Sequence, residues 1–305
     1  MINKKGLLSS IIIIFITGIL AFFAFSKEVI HLAYLTDSKY VPYTMVSMYS
    51  AIKNKKENSI YQIHVIGQSL NEKDKQNLLK LSAKNTTITI HEAPKLNLDI
   101  THLGRFAGFD VSLQKLFIAD NLKSLDKVLY LDADTLVLKD LSNIYKTKLK
   151  DNYVAAVKDG LMYQFPEHIV EVGLEWRKFY FNSGVMLLNL KQIREDEIKN
   201  RAIIYFNTHE EVFGDQDVLN VVFKEKVMPL SYRYNCNSTF FEEKDAKFLS
   251  DFYGEKVPNT PQKVYENAAI LHFAGHKPWT EWFTHDYLKT LWQEYAKQTE
   301  KHLQK

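Results

Sequence analysis

VLYLDADTLV, residues 128–137, sets an apolar run against two carboxylates one residue apart, Asp132 and Asp134, and then turns apolar again. Taken with Lys127, the first half (KVLYL, 127–131) predicts a buried strand. The acids then lie at that strand's carboxyl end. An Asp-x-Asp placed there serves at least three chemistries: a phosphotransfer nucleophile with its acid partner, a calcium loop, or a clamp for a metal-bound nucleotide diphosphate.

The preceding segments set the architecture. VIHLAYLT (29–36), IYQIHVIG (60–67) and TITIHEA (87–93) predict strands. Between them, Val41, Met45, Met48, Tyr49 and Ile52 recur at helical spacing, and Asn71 caps a helix running through Leu81, with Glu72 and Asp74 in its first turn. This alternation predicts an α/β fold with a mainly parallel sheet and flanking helices, whose ligands bind beyond the carboxyl ends of the strands. Asp37 falls at such an end. Further on, the pattern predicts a helix over about 112–121, a strand in YFNSGVMLLNL (180–190), helices over about 195–207 and from near Gln216, and a strand in AAILHF (268–273).

The phosphatase reading needs Thr or Val two residues after the second Asp, where this chain has Leu136. The calcium reading needs oxygen ligands at alternate positions, which Leu136 and Leu138 occupy instead. Both are weakened, and so is a bare turn at the strand end. A metal bridging two phosphates needs hard oxygen ligands, a third ligand and phosphate donors. LHFAGHKPW (271–279) offers them: His272 at a strand end, Gly275 for close backbone approach and Lys277 as a point charge.

With these motifs in order, the chain resembles glycosyltransferase family 8, the retaining, metal-dependent group that includes glycogenin and bacterial lipopolysaccharide galactosyl- and glucosyltransferases. DKVLYLDADTLV is similar to its metal motif, YFNSGVMLLNL to its asparagine-containing strand, FGDQDVLN to its acid-glutamine helix start and HFAGHKPW to its closing phosphate loop. The resemblance implies a GT-A type nucleotide-sugar-binding fold. It implies Mn2+, or Mg2+, on Asp132, Asp134 and His272, and a donor diphosphate on Gly275 and Lys277. Asp37 matches the acid at the uracil end of the nucleotide. Asp159, Asn182, Asp215 and Gln216 match residues around the transferred sugar and the reaction centre. Two departures stand out: Lys115 replaces an arginine that the family often carries upstream of the acids, and the closing loop is one residue short between His272 and Lys277.

The implied activity is transfer of a hexose, galactose or glucose, from a UDP-sugar to a hydroxyl of a glycan, lipid-linked or protein acceptor. An inactive glycan- or sugar-nucleotide-binding protein and a glycogenin-like self-glycosylating enzyme are the alternatives. With 39 basic and 36 acidic residues interspersed, a net charge of +3 carries no electrostatic footprint of a nucleic-acid binder. The one cysteine, Cys236, excludes an intrachain disulfide and a cysteine-rich zinc site.

Residues 1–28 stand apart, with Lys4 and Lys5 ahead of an uncharged stretch from Gly6 to Ser26. That length and flank predict a membrane anchor or signal segment. We expect an uncleaved transmembrane helix with its N-terminus cytosolic, a type II arrangement facing the Golgi lumen in a eukaryote or attached to the inner membrane in a bacterium. The expected domains are this segment, a catalytic domain over 29–280 and an amphipathic helical tail over 281–305. Phe283, Tyr287, Leu288, Leu291, Trp292 and Tyr295 share one stripe of that tail, which suits packing on the domain or lying on a membrane surface.

Overall fold

The computed structural model describes residues 29–96, 98, 110–160, 162, 165–175, 179–209, 214–237 and 245–304. Among the described residues ten strands are formed: β1 Val29–Asp37, β2 Ile60–Gln68, β3 Thr86–Glu92, β4 Lys127–Leu131, β5 Thr135–Val137, β6 Val154–Lys158, β7 Phe181–Asn189, β8 Val227–Pro229, β9 Cys236–Asn237 and β10 Ile270–His272. Seven of them build one sheet in the order β3-β2-β1-β4-β7-β6-β8, and β5, β10 and β9 build a small second sheet. In the large sheet β1 runs parallel to β2 and β4, and β7 lies antiparallel to both β4 and β6. The sheet is therefore mixed and mainly parallel, as the alternating strands and helices predict.

The apolar runs explain why β4 is central. Val128, Leu129, Tyr130 and Leu131 are all buried, alternately joining the clusters on the two sheet faces. Each such side chain contributes about 1.5–3 kcal/mol by leaving water. The helix Val41–Asn54 covers one face, and the helix Gly214–Phe223 packs on the other. Asn71 does cap the helix Glu72–Leu79, its side chain accepting the Asp74 N–H.

Two expected helices are interrupted. The stretch over 112–121 is a helical turn Asp110–Leu113, a 3-10 turn Gln114–Phe117 and a further turn Ile118–Asn121, and Lys115 sits in the tight middle turn. The helix expected over 195–207 begins at Ile198, because Glu197 adopts a left-handed conformation (φ 50°) that separates it from Leu190–Glu195.

The tail forms the helix Asp286–Leu303. Leu288, Trp292 and Tyr295 are buried in a third apolar cluster with Phe273 and Leu271, and Tyr295 Oη accepts from Asn54 Nδ2 at 2.7 Å. Most of the stripe is thus spent on packing.

The expected N-terminal transmembrane helix falls on residues 1–28, which lie outside the described residues. Among the described residues no helix is long and apolar enough to cross a membrane. The longest, Asp286–Leu303, carries charges throughout its outer face and uses its apolar stripe internally. The fold class is corrected accordingly to the mixed α/β fold that the described residues form, and neither the spanning helix nor the single-pass type II location has support among them.

Candidate active site

β4 delivers Asp132 and Asp134 into a turn that closes on itself. The Thr135 N–H and hydroxyl both reach the Asp132 carbonyl, at 3.2 and 2.8 Å. The small sheet then brings a segment 140 residues distant against that turn: β10 pairs antiparallel with β5, His272 opposite Thr135, and the Phe273 N–H donates to the Asp134 carbonyl at 3.0 Å. This register places His272 Nε2 3.3 Å from Asp134 Oδ1 and 3.8 Å from Asp132 Oδ2. One ligand atom from each of Asp132, Asp134 and His272 lies within 4.8 Å of the other two.

The donor set fits a divalent cation. Two carboxylates suit a hard ion, and one neutral imidazole can complete the set. His272 Nδ1 is hydrogen-bonded to Asn235 Oδ1 at 2.9 Å, which leaves Nε2 facing the carboxylates. Space for the ring comes from Gly184 in the middle of β7, where a Cβ would lie 2.2 Å from His272 Cε1. Gly184, Asn235 and Ser183 are absent from the sequence-derived set. A glycine inside a strand is the signal that points to the first of them.

A cavity of about 440 Å³ opens over this group at the carboxyl ends of β1 and β4. Asp37, Lys115, Asn182, Asp215, Gln216, Gly275 and Lys277 line it with the three candidate ligands. Of the residues expected at the site, Asp159 alone is not in the wall. It is buried behind, with Oδ2 accepting from Asn182 Nδ2 at 2.9 Å and from Gln216 Nε2 at 3.1 Å. Asp37 ends β1, and its Oδ1 accepts the Tyr40 N–H at 2.9 Å.

Cations offset the acids. Lys115 Nζ lies 3.0 Å from both Asp132 Oδ1 and Asp215 Oδ2 and 3.2 Å from Ser183 Oγ. Burial disfavours its charge, but the two carboxylates outweigh that and raise its pKa above the usual lysine range. Lys277 is paired with Asp134 and donates to the Phe273 carbonyl at 2.9 Å. Burial opposes ionisation of Asp134 too, yet Lys277 and His272 prevail and hold its carboxyl well below the usual range. The loop bearing Lys277 is anchored by Trp279, whose ring stacks on Tyr43 with centroids 3.8 Å apart and packs against Trp292 at 5.2 Å. Gly275 holds φ 88°, which suits glycine and lets the backbone face the cavity.

Comparison with known proteins matches residues 31–283 to the model of glycosyl transferase family 8. The chain belongs to that family, and with it to the hexosyltransferases. It is 26% identical over 275 residues to general stress protein A of Bacillus subtilis (strain 168), covering 85% of this chain and 91% of that protein. It is 28% identical over 265 residues to a lipopolysaccharide 1,2-glucosyltransferase of Escherichia coli (strain K12), covering 84% of this chain and 75% of the relative. In fold it is similar to the galactosyltransferase LgtC, whose crystal structure contains donor and acceptor sugar analogs. The TM-score is 0.72 at 22% identity, covering 88% of this chain and 96% of LgtC. The architecture is thus GT-A-like.

Proposed function

We propose that this chain transfers a hexose, glucose or galactose, from a uridine diphosphate sugar to a hydroxyl of a glycan, lipid-linked or protein acceptor, with retention of anomeric configuration. The observation that carries the reading is the convergence of Asp132, Asp134 and His272 with Lys277 in one cavity. A pure glycan-binding site has no use for paired acids, an imidazole and a phosphate-facing lysine together.

Asp132, Asp134 and His272 would hold the manganese or magnesium ion, which when bound supplies Lewis acidity and charge neutralisation to the leaving diphosphate. Lys277, already facing the acids, donates to a diphosphate oxygen and stabilises the same developing charge. Gly275 lets the loop backbone approach that group. At the far end Asp37, with one oxygen engaged by its own turn, presents the other to the uracil. Asn182 and Gln216 face the sugar, with Asp159 behind them.

Retention is assigned to attack on the leaving-group face. The bond from the anomeric carbon to the diphosphate oxygen breaks, the acceptor oxygen bonds to the same carbon from the same side, and the acceptor proton passes to the departing diphosphate. The prior engagement of the acids and the amide of this segment favours this over a covalent intermediate. Asp215 is tied to Lys115 and Ser183, Gln216 Oε1 accepts the Ser183 N–H at 3.0 Å, and Asp217 is fully buried against His168 and Tyr180. A glycosyl adduct trapped on Asp215 contradicts this assignment.

The test is to screen UDP-glucose and UDP-galactose for hydrolysis by the purified domain with manganese present, and then to offer glycan acceptors. The reading predicts turnover of one donor, accelerated by an acceptor. Donor binding without turnover of any donor would instead identify an inactive binding protein.

A further inference from the structure

Asn235 lies between the two halves of the site and is 3% exposed. Its Nδ2 donates to Asn182 Oδ1 at 2.8 Å, and its Oδ1 faces His272 Nδ1 at 2.9 Å. The direction of this chain of hydrogen bonds is fixed at its far end. Asn182 Nδ2 points at the Asp159 carboxylate, and Asn182 Oδ1 also accepts the Gly184 N–H at 3.0 Å. An ionised carboxylate only accepts and a backbone N–H only donates, so Asn182 has one orientation and must offer its oxygen to Asn235. Asn235 in turn must offer its nitrogen to Asn182 and its oxygen to His272. An oxygen at that place requires a proton on His272 Nδ1, so the nitrogen free to give up its proton to a metal is Nε2, the atom facing Asp132 and Asp134.

We infer that Asn235 is a positioning residue that transmits this polarity to His272, holding the imidazole in the tautomer that binds a metal through Nε2. The inference rests on the proposed metal role of His272 and adds a residue that nothing in the sequence pattern marked. It also ties the metal seat physically to Asn182 on the sugar side, through one amide.

The experiment reads the tautomer without metal or donor. In the ligand-free protein labelled with 15N-histidine, the imidazole nitrogen shifts of His272, assigned by loss of its signals in His272→Gln, report which nitrogen carries the proton. The expected result is a proton on Nδ1 in the wild type. In Asn235→Leu the ring loses its acceptor, the Nε2–H tautomer becomes populated, and manganese affinity measured by electron paramagnetic resonance falls at least about tenfold. Asn235→Asp keeps an acceptor for Nδ1, so it preserves both the tautomer and the manganese affinity to within about threefold while placing an oxygen against Asn182 Oδ1 and slowing hexose turnover.

An unchanged tautomer and affinity in Asn235→Leu overturns the inference. If that variant does not fold, Asn235→Asp decides: loss of the Nδ1–H tautomer there contradicts it equally. Failure of the wild type to bind manganese overturns the metal reading instead, and the shifts still report the tautomer.

Discussion

Gly184 stands against the imidazole of His272 so closely that a Cβ would come within 2.2 Å of Cε1 and 2.7 Å of Nε2. Both neighbours of such a methyl are rigid, one a ring and the other a central strand. Gly184→Ala is therefore expected to push His272 off the two aspartates. Manganese affinity should fall about 10–100-fold while the cooperative unfolding transition persists, as titration calorimetry and thermal denaturation will show.

Gly275 makes the opposite case. Nothing lies within 4 Å of a Cβ added there, but its φ of 88° is a conformation L-residues rarely adopt. Gly275→Ala is expected to raise the KM for the nucleotide sugar several-fold with metal affinity unchanged, because strain of about 1–2 kcal/mol falls on the loop alone. Steady-state kinetics with donor varied at saturating manganese checks this.

Lys115 separates two carboxylates that would otherwise face each other. Lys115→Met leaves Asp132 and Asp215 without their shared counter-charge, and about 3 kcal/mol of stability is expected to be lost. Lys115→Arg keeps the charge and should stay within about 1 kcal/mol of the wild type. Urea denaturation of the two variants distinguishes a charge requirement from a shape requirement.

His31, His64 and His91 form a ladder across β1, β2 and β3, with ring nitrogens 3.1 Å apart at each step. Burial first, and then the neighbouring imidazoles, push His64 down to about 4. Its folded pKa lies below the unfolded value, so between pH 6.5 and about 4 the unfolded chain takes up a proton that the folded chain refuses. Stability is therefore full above pH 6.5 and declines as pH falls through that window, by on the order of 2 kcal/mol from this group. Thermal melts at pH 7 and pH 4.5 should show a smaller drop for His64→Gln than for the wild type.

What was legible in the sequence follows the range of the forces involved. KVLYL reads as a buried strand because Val128 through Leu131 are all consumed by packing, and two acids at its end are conspicuous. Asp215 and Gln216 stand out less by chemistry than by their place in an ordered set of motifs. The direction of β7 was not legible, since an apolar run buried on both faces looks the same parallel or antiparallel. Nor were β5 and β9, three and two residues long, too short to show a period. Yet β5 and β9 flank β10 and so carry His272 to Asp134. Lys115 was marked as a departure, but its two ion pairs depend on a 3-10 turn that helical spacing does not announce. The N-terminal segment is read from the length of its uncharged run and the lysines ahead of it, and no described element supports the anchor drawn from it.

The most direct test of the account is release of UDP from a UDP-hexose by protein stripped of divalent ions with a chelator, measured before and after manganese is restored, in the wild type and in Asp134→Ala. The account predicts no turnover in the stripped wild type, recovery on adding manganese, and none at any manganese concentration in Asp134→Ala, with the fold intact by circular dichroism. Full turnover in the stripped protein, or in Asp134→Ala, would contradict it.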